Sequence, residues 1–377
     1  MKKQLFKWTD IAAVAEASVY VPACGVSEYH VMISLTDRYS EVEKQFANIE
    51  TAIEKIKAEY QNASLIFKRY FVSDAANQIE YIKDVPCAVS AIEQSPADGS
   101  KVAVWLYLTD SCKIFKDSSG TMLMEHSAYR HFFDVQMQFP EYDEVVETRL
   151  VFENYTKMLA ARGCSLAANC IRTWIFVNGV DNRYAGMVNE RRIIFESEGL
   201  TSETHYIAST GIEGRHANPK SLIIMDAYSV QGVDSRQIKH IRATDYLNCT
   251  SEYGVTFERA TSVEYGDRKH IFVSGTASIN NRGEILHPKS VKNQLKRIFE
   301  NIEALLCNAE ASMNDIVQMI VYLRDIADYH IAKQYIDEHE ICAPYIIVRA
   351  AVCRPGWLVE IECIAIKSVE NNDFSAF

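Results

Sequence analysis

The chain has 377 residues, of which 48% are hydrophobic and 24% charged, and its formal net charge is −11. This balance is typical of a soluble protein with about two or three domains, and the negative charge excludes a nucleic-acid binder that works through a broad basic face. No run of about 18 apolar residues predicts a membrane span, and ten cysteines without a C-x-x-C pair favour reduced thiols in the cytoplasm over zinc or disulfide sites.

The first third of the chain combines one helix with two strands. The pattern predicts a helix over 41–60 and a strand over 65–72 that ends at Ser-Asp74. A closing strand follows over 101–108.

The second third repeats this order. A helix is predicted over 145–162, and Gly163 behind it is a typical C-cap. A strand over 171–177, a turn over 178–181 and a helix over 187–197 follow. The closing strand is predicted over 222–230.

The last third shows the clearest pattern. A strand over 270–274 leads through Gly275 and a hairpin turn into a helix over 290–308, whose apolar residues recur at three- and four-residue spacing. A strand over 316–323 and a helix over 329–339 come next. Two β-rich runs, over 345–353 and 357–366, are separated by Arg-Pro-Gly.

Short motifs recur in the three thirds at the same place in this order. The long helices share a Phe-x-Asn motif at Asn48, Asn154 and Asn301, and the strands after them exit at Asp74, Asp181 and Asp325. We therefore predict three tandem units. Their predicted boundaries are 1–125, 126–235 and 250–368.

Residues 255–368 resemble the RidA (YjgF) family. The matching stretches are Val-Ser-Gly-Thr-Ala at 273–277, Glu-Asn-Ile-Glu-Ala-Leu-Leu at 300–306, Val-Tyr-Leu-Arg-Asp at 321–325 and Leu-Val-Glu-Ile-Glu-Cys-Ile-Ala at 358–365. The resemblance implies an α+β, chorismate-mutase-like fold that assembles as trimers with sites in the clefts between subunits. Three units in one chain would supply that arrangement as an intrachain pseudo-trimer, so we expect a monomer.

Glu360 matches the glutamate that positions water or substrate in this family. The aligned closing strands place Ile224 and Ala103 at the same position of the other units. An apolar side chain cannot transfer a proton, so we predict one active cleft. Strand alternation leaves a second interpretation open, in which Glu360 faces solvent. The arginine that RidA deaminases carry after a Pro-x pair is replaced by Ile346, which argues against the common deaminase activity.

A second branch, the chorismatases, is similar to this chain outside the last unit. The segment 172–182, Arg-Thr-Trp-Ile-Phe-Val-Asn-Gly-Val-Asp-Asn, and the segment 208–212, Ala-Ser-Thr-Gly-Ile, resemble theirs. This resemblance implies that Glu360 is the essential acid. It also implies that Cys353 and Gly275 favour 3-hydroxybenzoate over a dihydrodiol as product.

A small anionic substrate such as chorismate, with two carboxylates, needs cations or backbone amides around it. A buried Glu360 would keep its neutral form, which suits an acid. The candidate substrate-binding residues are Tyr206, Gly211, Arg215, Tyr253, Arg259, Gly275 and Arg354.

Three functions therefore remain open from the sequence. The first is a chorismatase-like enzyme that releases pyruvate from chorismate to give a hydroxybenzoate, with no cofactor or metal. The second is a RidA-type hydrolase or deaminase of another small imine, enamine or carboxylate. The third is a non-catalytic protein that binds small molecules.

Overall fold

The computed structural model describes residues 1–23, 25–83, 85–117, 119–339, 341 and 343–377, without the side chains of 251 and 253. Three six-stranded sheets with flanking helices make up this part of the chain. Within the same residues, no helix is long and apolar enough to cross a membrane. The predicted α+β class with three tandem units is confirmed.

The strands of the three sheets follow one another along the chain. The first sheet contains β1 (Lys2–Trp8), β2 (Ala13–Tyr20), β3 (Glu28–Leu35), β4 (Ala63–Val72), β5 (Ala88–Glu93) and β6 (Val102–Asp110). The second contains β7 (Lys113–Lys116), β8 (Met122–His126), β9 (Tyr129–Gln138), β10 (Cys170–Val177), β11 (Ala208–Glu213) and β12 (Ile223–Gln231). The third contains β13 (Ile238–Ile241), β14 (Ala260–Glu264), β15 (Arg268–Ala277), β16 (Ile316–Leu323), β17 (Tyr345–Arg349) and β18 (Val359–Ser368).

All three sheets have the same topology. Their strand orders are β1-β2-β3-β6-β4-β5, β7-β8-β9-β12-β10-β11 and β13-β14-β15-β18-β16-β17. In each sheet the last pair is parallel and the pairs that involve the closing strand are antiparallel. We call each sheet with its helices the first, second and third unit.

The helices cover one face of each sheet. They are α1 (Val42–Glu59), α2 (Ala75–Gln78), α3 (Glu144–Ala161), α4 (Leu166–Asn169), α5 (Val180–Ser197), α6 (Val291–Asn308) and α7 (Tyr329–Glu338). In α6 the apolar stripe predicted from the sequence is buried, and the Ser290 hydroxyl accepts a hydrogen bond from the Asn293 N–H at the helix start. Burial of each such Leu or Ile side chain contributes about 1.5–3 kcal/mol, which fixes α6 on its sheet.

The turn predicted over 178–181 is confirmed only at residues 178 and 179, because α5 already begins at Val180 rather than near 187. Gly179 takes the left-handed backbone conformation, with φ 77°. The Glu213 carboxylate accepts hydrogen bonds from the N–H groups of Gly179 and Val180, at 3.1 and 2.7 Å. A carboxylate from another strand therefore caps the helix, and the local sequence around 178–181 does not carry that signal.

The strands that precede the long helix of each unit were missed in the sequence, apart from β15. They include very short edge strands, β7 and β13, which have little periodicity of their own and are defined by their antiparallel partners. The run predicted over 345–353 ends at Arg349. The unit boundaries stay predictions. β7 lies before the predicted boundary at 125 and β8 crosses it, and both strands pair in the second sheet.

The three units close into a ring with pseudo-threefold symmetry. The edge strand of each parallel pair contacts the next unit: β5 lies against β9, β11 against β15 and β17 against β3. Backbone hydrogen bonds join the units, for example from the Glu213 N–H to the Ala351 carbonyl at 3.1 Å. One hydrophobic core runs through residues of all three units. The predicted intrachain pseudo-trimer thus places three inter-unit clefts in one chain.

The closing strands of the three units are paired in the same register. The corresponding pairs are Phe71 with Ala103, Phe176 with Ile224, and Tyr322 with Glu360. Two residues further along, Trp105, Asp226 and Glu362 occupy equivalent positions and all are buried. Glu360 therefore has no carboxylate counterpart at the other two junctions.

Candidate active site

Glu360 lies in the cleft between the second and third units. It sits on β18 opposite Ala277 of β15 and Tyr322 of β16, and only 6% of its surface is exposed. The interpretation that Glu360 faces solvent is therefore wrong. A carboxyl group in this position is sheltered from water but open to a cleft.

We call this cleft the junction cleft and define it by its lining residues. The second unit and the segment after it contribute Tyr184, Arg191, Ser209, Thr210, Gly211, Val255, Phe257 and Arg259. The third unit contributes Gly275, Ala277, Ile279, Cys353, Arg354, Trp357 and Glu360. The cleft therefore combines a carboxyl group, a thiol and three guanidinium groups from two units.

Gly275 lies directly beside the Glu360 carboxyl group. The β15–β18 register shifts between Val273 and Thr276, so Gly275 stands in a bulge. A Cβ atom added at Gly275 would lie 2.1 Å from Glu360 Oε1, closer than any non-bonded contact. The glycine is therefore required by the position of the glutamate.

Burial is the first cause of an unusual proton affinity at Glu360. Desolvation, followed by the nearby Glu362 carboxylate, raises the pKa of Glu360 to about 8, while Arg172 and Arg259 act in the opposite direction. The carboxyl group is then mainly protonated at neutral pH. A protonated carboxyl group in a cleft can act as a general acid.

The Cys353 thiol faces the same cleft. Burial is the main cause that raises the pKa of Cys353 to about 12, the neighbouring Glu360 adds to it, and the Tyr184 side chain is a hydrogen-bond partner of the thiol. At neutral pH the thiol is therefore uncharged, which argues against a thiolate nucleophile. Cys353 contributes volume and a weak dipole next to the acid.

Arg191 is a cleft residue that the sequence analysis missed. It projects from α5, and 1% of its surface is exposed. Its Nε–H donates to Thr256 Oγ1 at 2.9 Å and its Nη1–H to Ser209 Oγ at 3.5 Å. Its Nη2 is buried and has no hydrogen-bond partner among the described residues. Burial lowers the pKa of Arg191, but an arginine stays charged, so a buried positive charge faces the cleft.

Four of the predicted substrate-binding residues do line the junction cleft. Arg259 is buried and its guanidinium donates to the Asn248 side-chain Oδ1 at 3.0 Å. Arg354 lies over the Trp357 ring, 4.8 Å from its centroid. Gly211 lies beneath Tyr184, where an added Cβ would be 2.9 Å from the ring. Gly275 is the fourth.

Two of the remaining three predicted residues, Arg215 and Tyr206, lie outside the junction cleft. Arg215 lies beyond the end of β11, where its half-exposed side chain approaches Glu93 of the first unit at 3.7 Å. Tyr206 lines a neighbouring pocket together with Arg242 and Glu258. The Tyr253 side chain lies outside the described residues.

Ile346, the residue that replaces the family's arginine, faces a different cleft from Glu360. The strand that faces Glu360 is β11 of the second unit, and strand register makes Thr210 the counterpart of Ile346 there. Thr210 Oγ1 accepts a hydrogen bond from Arg172 Nη2 at 2.5 Å. A guanidinium therefore reaches this point from the adjacent strand β10.

A second cavity lies between the three units and is mostly apolar. Aromatic side chains from all three units line it, together with Glu28. The Glu28 carboxylate is already engaged by Arg268 at 2.5 Å, His270 at 2.8 Å and Tyr107 at 2.8 Å. These contacts satisfy the charge of Glu28.

Comparisons with known proteins found sequence relatives of the last unit and a structural neighbour of most of the chain. The sequence model of the endoribonuclease L-PSP family matches residues 260–367. A RutC family protein of Pyrococcus abyssi is 37% identical over 100 residues, which cover 26% of this chain and 78% of the relative. The 3-aminoacrylate deaminase RutC of Acinetobacter baylyi is 30% identical over 98 residues, 25% of this chain and 77% of that protein. The crystal structure of a chorismatase matches 80% of this chain and 93% of its own with a TM-score of 0.63 at 17% identity, which shows a shared fold.

Proposed function

This chain belongs to the endoribonuclease L-PSP (RidA/YjgF) family, and from that premise we propose that it is a chorismatase-like enzyme that releases pyruvate from chorismate to give a hydroxybenzoate. The observation that carries the proposal is the buried Glu360 carboxyl group, whose pKa burial raises to about 8, in a cleft with three arginines. The fold shared with a chorismatase over 80% of the chain supports it.

Glu360 supplies the acid that the reaction needs. Its proton adds to the methylene carbon of the enolpyruvyl ether. The bond between the ring carbon and the ether oxygen then breaks, and pyruvate leaves with that oxygen as its keto group. The ring loses a proton as it becomes aromatic, and this proton restores the acid. A hydroxybenzoate and pyruvate together contain the atoms of chorismate, so no further reactant enters. General acid catalysis of this type contributes about 10²- to 10⁴-fold.

The arginines of the junction cleft supply the positive charge for two carboxylates. Arg191 offers a buried Nη2 group that has no partner within the described chain. Arg354 comes from the third unit and Arg259 from the segment between the second and third units. Charge-assisted hydrogen bonds from guanidinium groups bind carboxylates well. We propose one such site per chain, because Ile224 and Ala103 replace the acid at the other junctions.

Deamination of a small enamine or imine is the second candidate function. It is supported by the relative whose name is 3-aminoacrylate deaminase, at 30% identity over 98 residues. The presence of Thr210 at the position of the family's arginine in the junction cleft argues against it.

The experiment that separates these functions uses the purified chain. We expect it to release pyruvate from chorismate, measured with lactate dehydrogenase, together with an equal amount of hydroxybenzoate, measured by chromatography. Ammonia release from 2-aminoacrylate without pyruvate release from chorismate would support the deaminase instead. Binding of benzoate-like acids with neither reaction would indicate a non-catalytic binding protein.

The rate of pyruvate release should fall at high pH. Glu360 must be protonated to act, so kcat/KM is expected to be level below its pKa and to fall about tenfold per pH unit above about 8. The carboxylates of chorismate stay ionised throughout this range and do not contribute. A profile measured from pH 5.5 to 9.5 checks this, and a rate that rises through pH 8 would contradict an acid role.

Replacement of Cys353 by alanine should change the products more than the fold. The neutral thiol fills space next to Glu360, and its removal leaves room for water. We expect a larger share of the dihydrodiol relative to hydroxybenzoate, measured by chromatography. The matched control is Cys307→Ala, because Cys307 is exposed. An unchanged product ratio would show that Cys353 does not determine the product.

A further inference from the structure

Glu362 lies two residues beyond Glu360 on β18 and is held by the second unit. Its Oε2 accepts a hydrogen bond from Arg172 Nη2 at 2.8 Å, and its Oε1 accepts one from Trp174 Nε1 at 2.8 Å. Arg172, Trp174 and Glu362 are all buried. The junction between the second and third units is therefore pinned by a buried ion pair close to the proposed acid.

Hydrogen bonds connect this ion pair to the wall beside Glu360. Arg172 Nη2 also donates to Thr210 Oγ1, and Thr210 Oγ1 accepts the Gly275 N–H at 2.9 Å. Gly275 is the residue on which the Glu360 carboxyl group packs. Any shift of Arg172 would therefore reach the bulge that leaves room for Glu360.

The charge of Glu362 acts on Glu360 as well. Both of its oxygens accept hydrogen bonds from the second unit, one from Arg172 Nη2 and one from Trp174 Nε1. Since Glu360 and Glu362 point to the same side of β18, this negative charge opposes ionisation of Glu360. The other titratable or charged groups around Glu360 are Arg172 on β10, Tyr184 and Arg191 on α5, Arg259 before β14, Tyr322 on β16, and Cys353 and Arg354 before β18.

We propose that Glu362 and Arg172 are positioning residues, which hold the Glu360 carboxyl group against Gly275 and supply the charge balance that keeps it a proton donor. The inference rests on the proposed function for its meaning in catalysis. Neither residue lines the junction cleft, so each acts through Glu360, Thr210 and Gly275.

The junction between the first and second units provides an internal comparison. Asp226, the counterpart of Glu362, accepts a hydrogen bond from Arg69 Nη2 at 2.8 Å, and both residues are buried. The position two residues before Asp226 is Ile224, which cannot donate a proton. The same kind of ion pair therefore occurs at a junction that has no carboxyl group at the position of Glu360. Asp226→Asn is a matched control for the removal of a buried ion pair between two units.

The test is the pH profile of Glu362→Gln. Removal of the negative charge of Glu362 leaves Arg172 to stabilise ionised Glu360. The rate of pyruvate release should therefore begin to fall about one pH unit lower than in the parent. At pH 8 the rate should be about fivefold below that of the parent. At pH 5.5 to 6 the rate of Glu362→Gln should stay near that of the parent. Glu362→Asp should have the pH profile of the parent, and so should the control Asp226→Asn. An equal loss of rate at all pH values would mean a purely structural role and would overturn the proposal.

A second readout does not depend on turnover. The Glu360 carboxyl carbon can be titrated by ¹³C NMR in protein labelled at glutamate side chains, with Glu360→Gln to assign the signal. We expect its midpoint near pH 8 in the parent and about one unit lower in Glu362→Gln. An unshifted midpoint would reject the role of Glu362. If the Glu360 midpoint is lower in Glu362→Gln but the parent releases no pyruvate from chorismate, the role of Glu362 stands and the proposed function is rejected.

Discussion

Replacement of Glu360 by glutamine is expected to reduce pyruvate release from chorismate by about a thousandfold. The amide has nearly the same size as the protonated carboxyl group but cannot donate a proton to carbon. Because Glu360 is buried and mainly neutral at pH 7, the substitution removes no charge from the folded protein. We therefore expect an unchanged fold and thermal transition, measured by circular dichroism, beside the kinetic loss.

The control for this prediction is Glu303→Gln, which changes an exposed glutamate on α6. It should leave the rate of pyruvate release unchanged. If Glu360→Gln kept the parent rate, Glu360 would have no part in proton transfer. Substrate binding and orientation remain in Glu360→Gln, so we expect it to keep a residual rate about 10³-fold below that of the parent.

Replacement of Arg191 by methionine should weaken the use of chorismate mainly through KM. Methionine keeps part of the apolar side chain and removes the guanidinium that faces the junction cleft. A charge-assisted hydrogen bond contributes about 1.5–3 kcal/mol, so kcat/KM should fall between about tenfold and a hundredfold, with the smaller change in kcat. Steady-state kinetics with chorismate measures both constants.

The neighbouring Arg192→Met serves as the matched control, because Arg192 lies on the same helix but is exposed. It should leave KM unchanged. Arg191→Lys should recover part of the loss, since it restores the charge without the planar donor pair. Unchanged KM in Arg191→Met, with normal thermal stability, would remove Arg191 from the binding site.

The repeated elements could be predicted because they follow from local patterns. The helix over 290–308 and the strand over 316–323 agree with α6 and β16, since each has one buried face with a clear period. The alignment of Glu360 with Ile224 and Ala103 agrees with the observed strand register. Strand register follows from the same side-chain alternation that is visible in the sequence.

The composition of the junction cleft could not be predicted in the same way, because it depends on contacts between units. Arg191 is far from Glu360 in the chain. The sequence feature that could have identified it is an arginine on the otherwise buried face of α5. Arg215 was predicted to bind the substrate carboxylates, but it lies beyond the end of β11 and approaches Glu93 of the first unit. Ile346 was the wrong residue on which to judge the family's arginine, because its strand faces a different junction and Thr210 holds that position beside Glu360.

The central claim is that one cleft, between the second and third units, binds an aromatic acid next to a protonated Glu360. A crystal structure of the protein with 3-hydroxybenzoate tests it most directly. We predict one ligand per chain in the junction cleft, with its carboxylate on the Arg191 guanidinium and its hydroxyl group facing Glu360. A ligand bound at either of the other two junctions, with the junction cleft empty, would contradict the account.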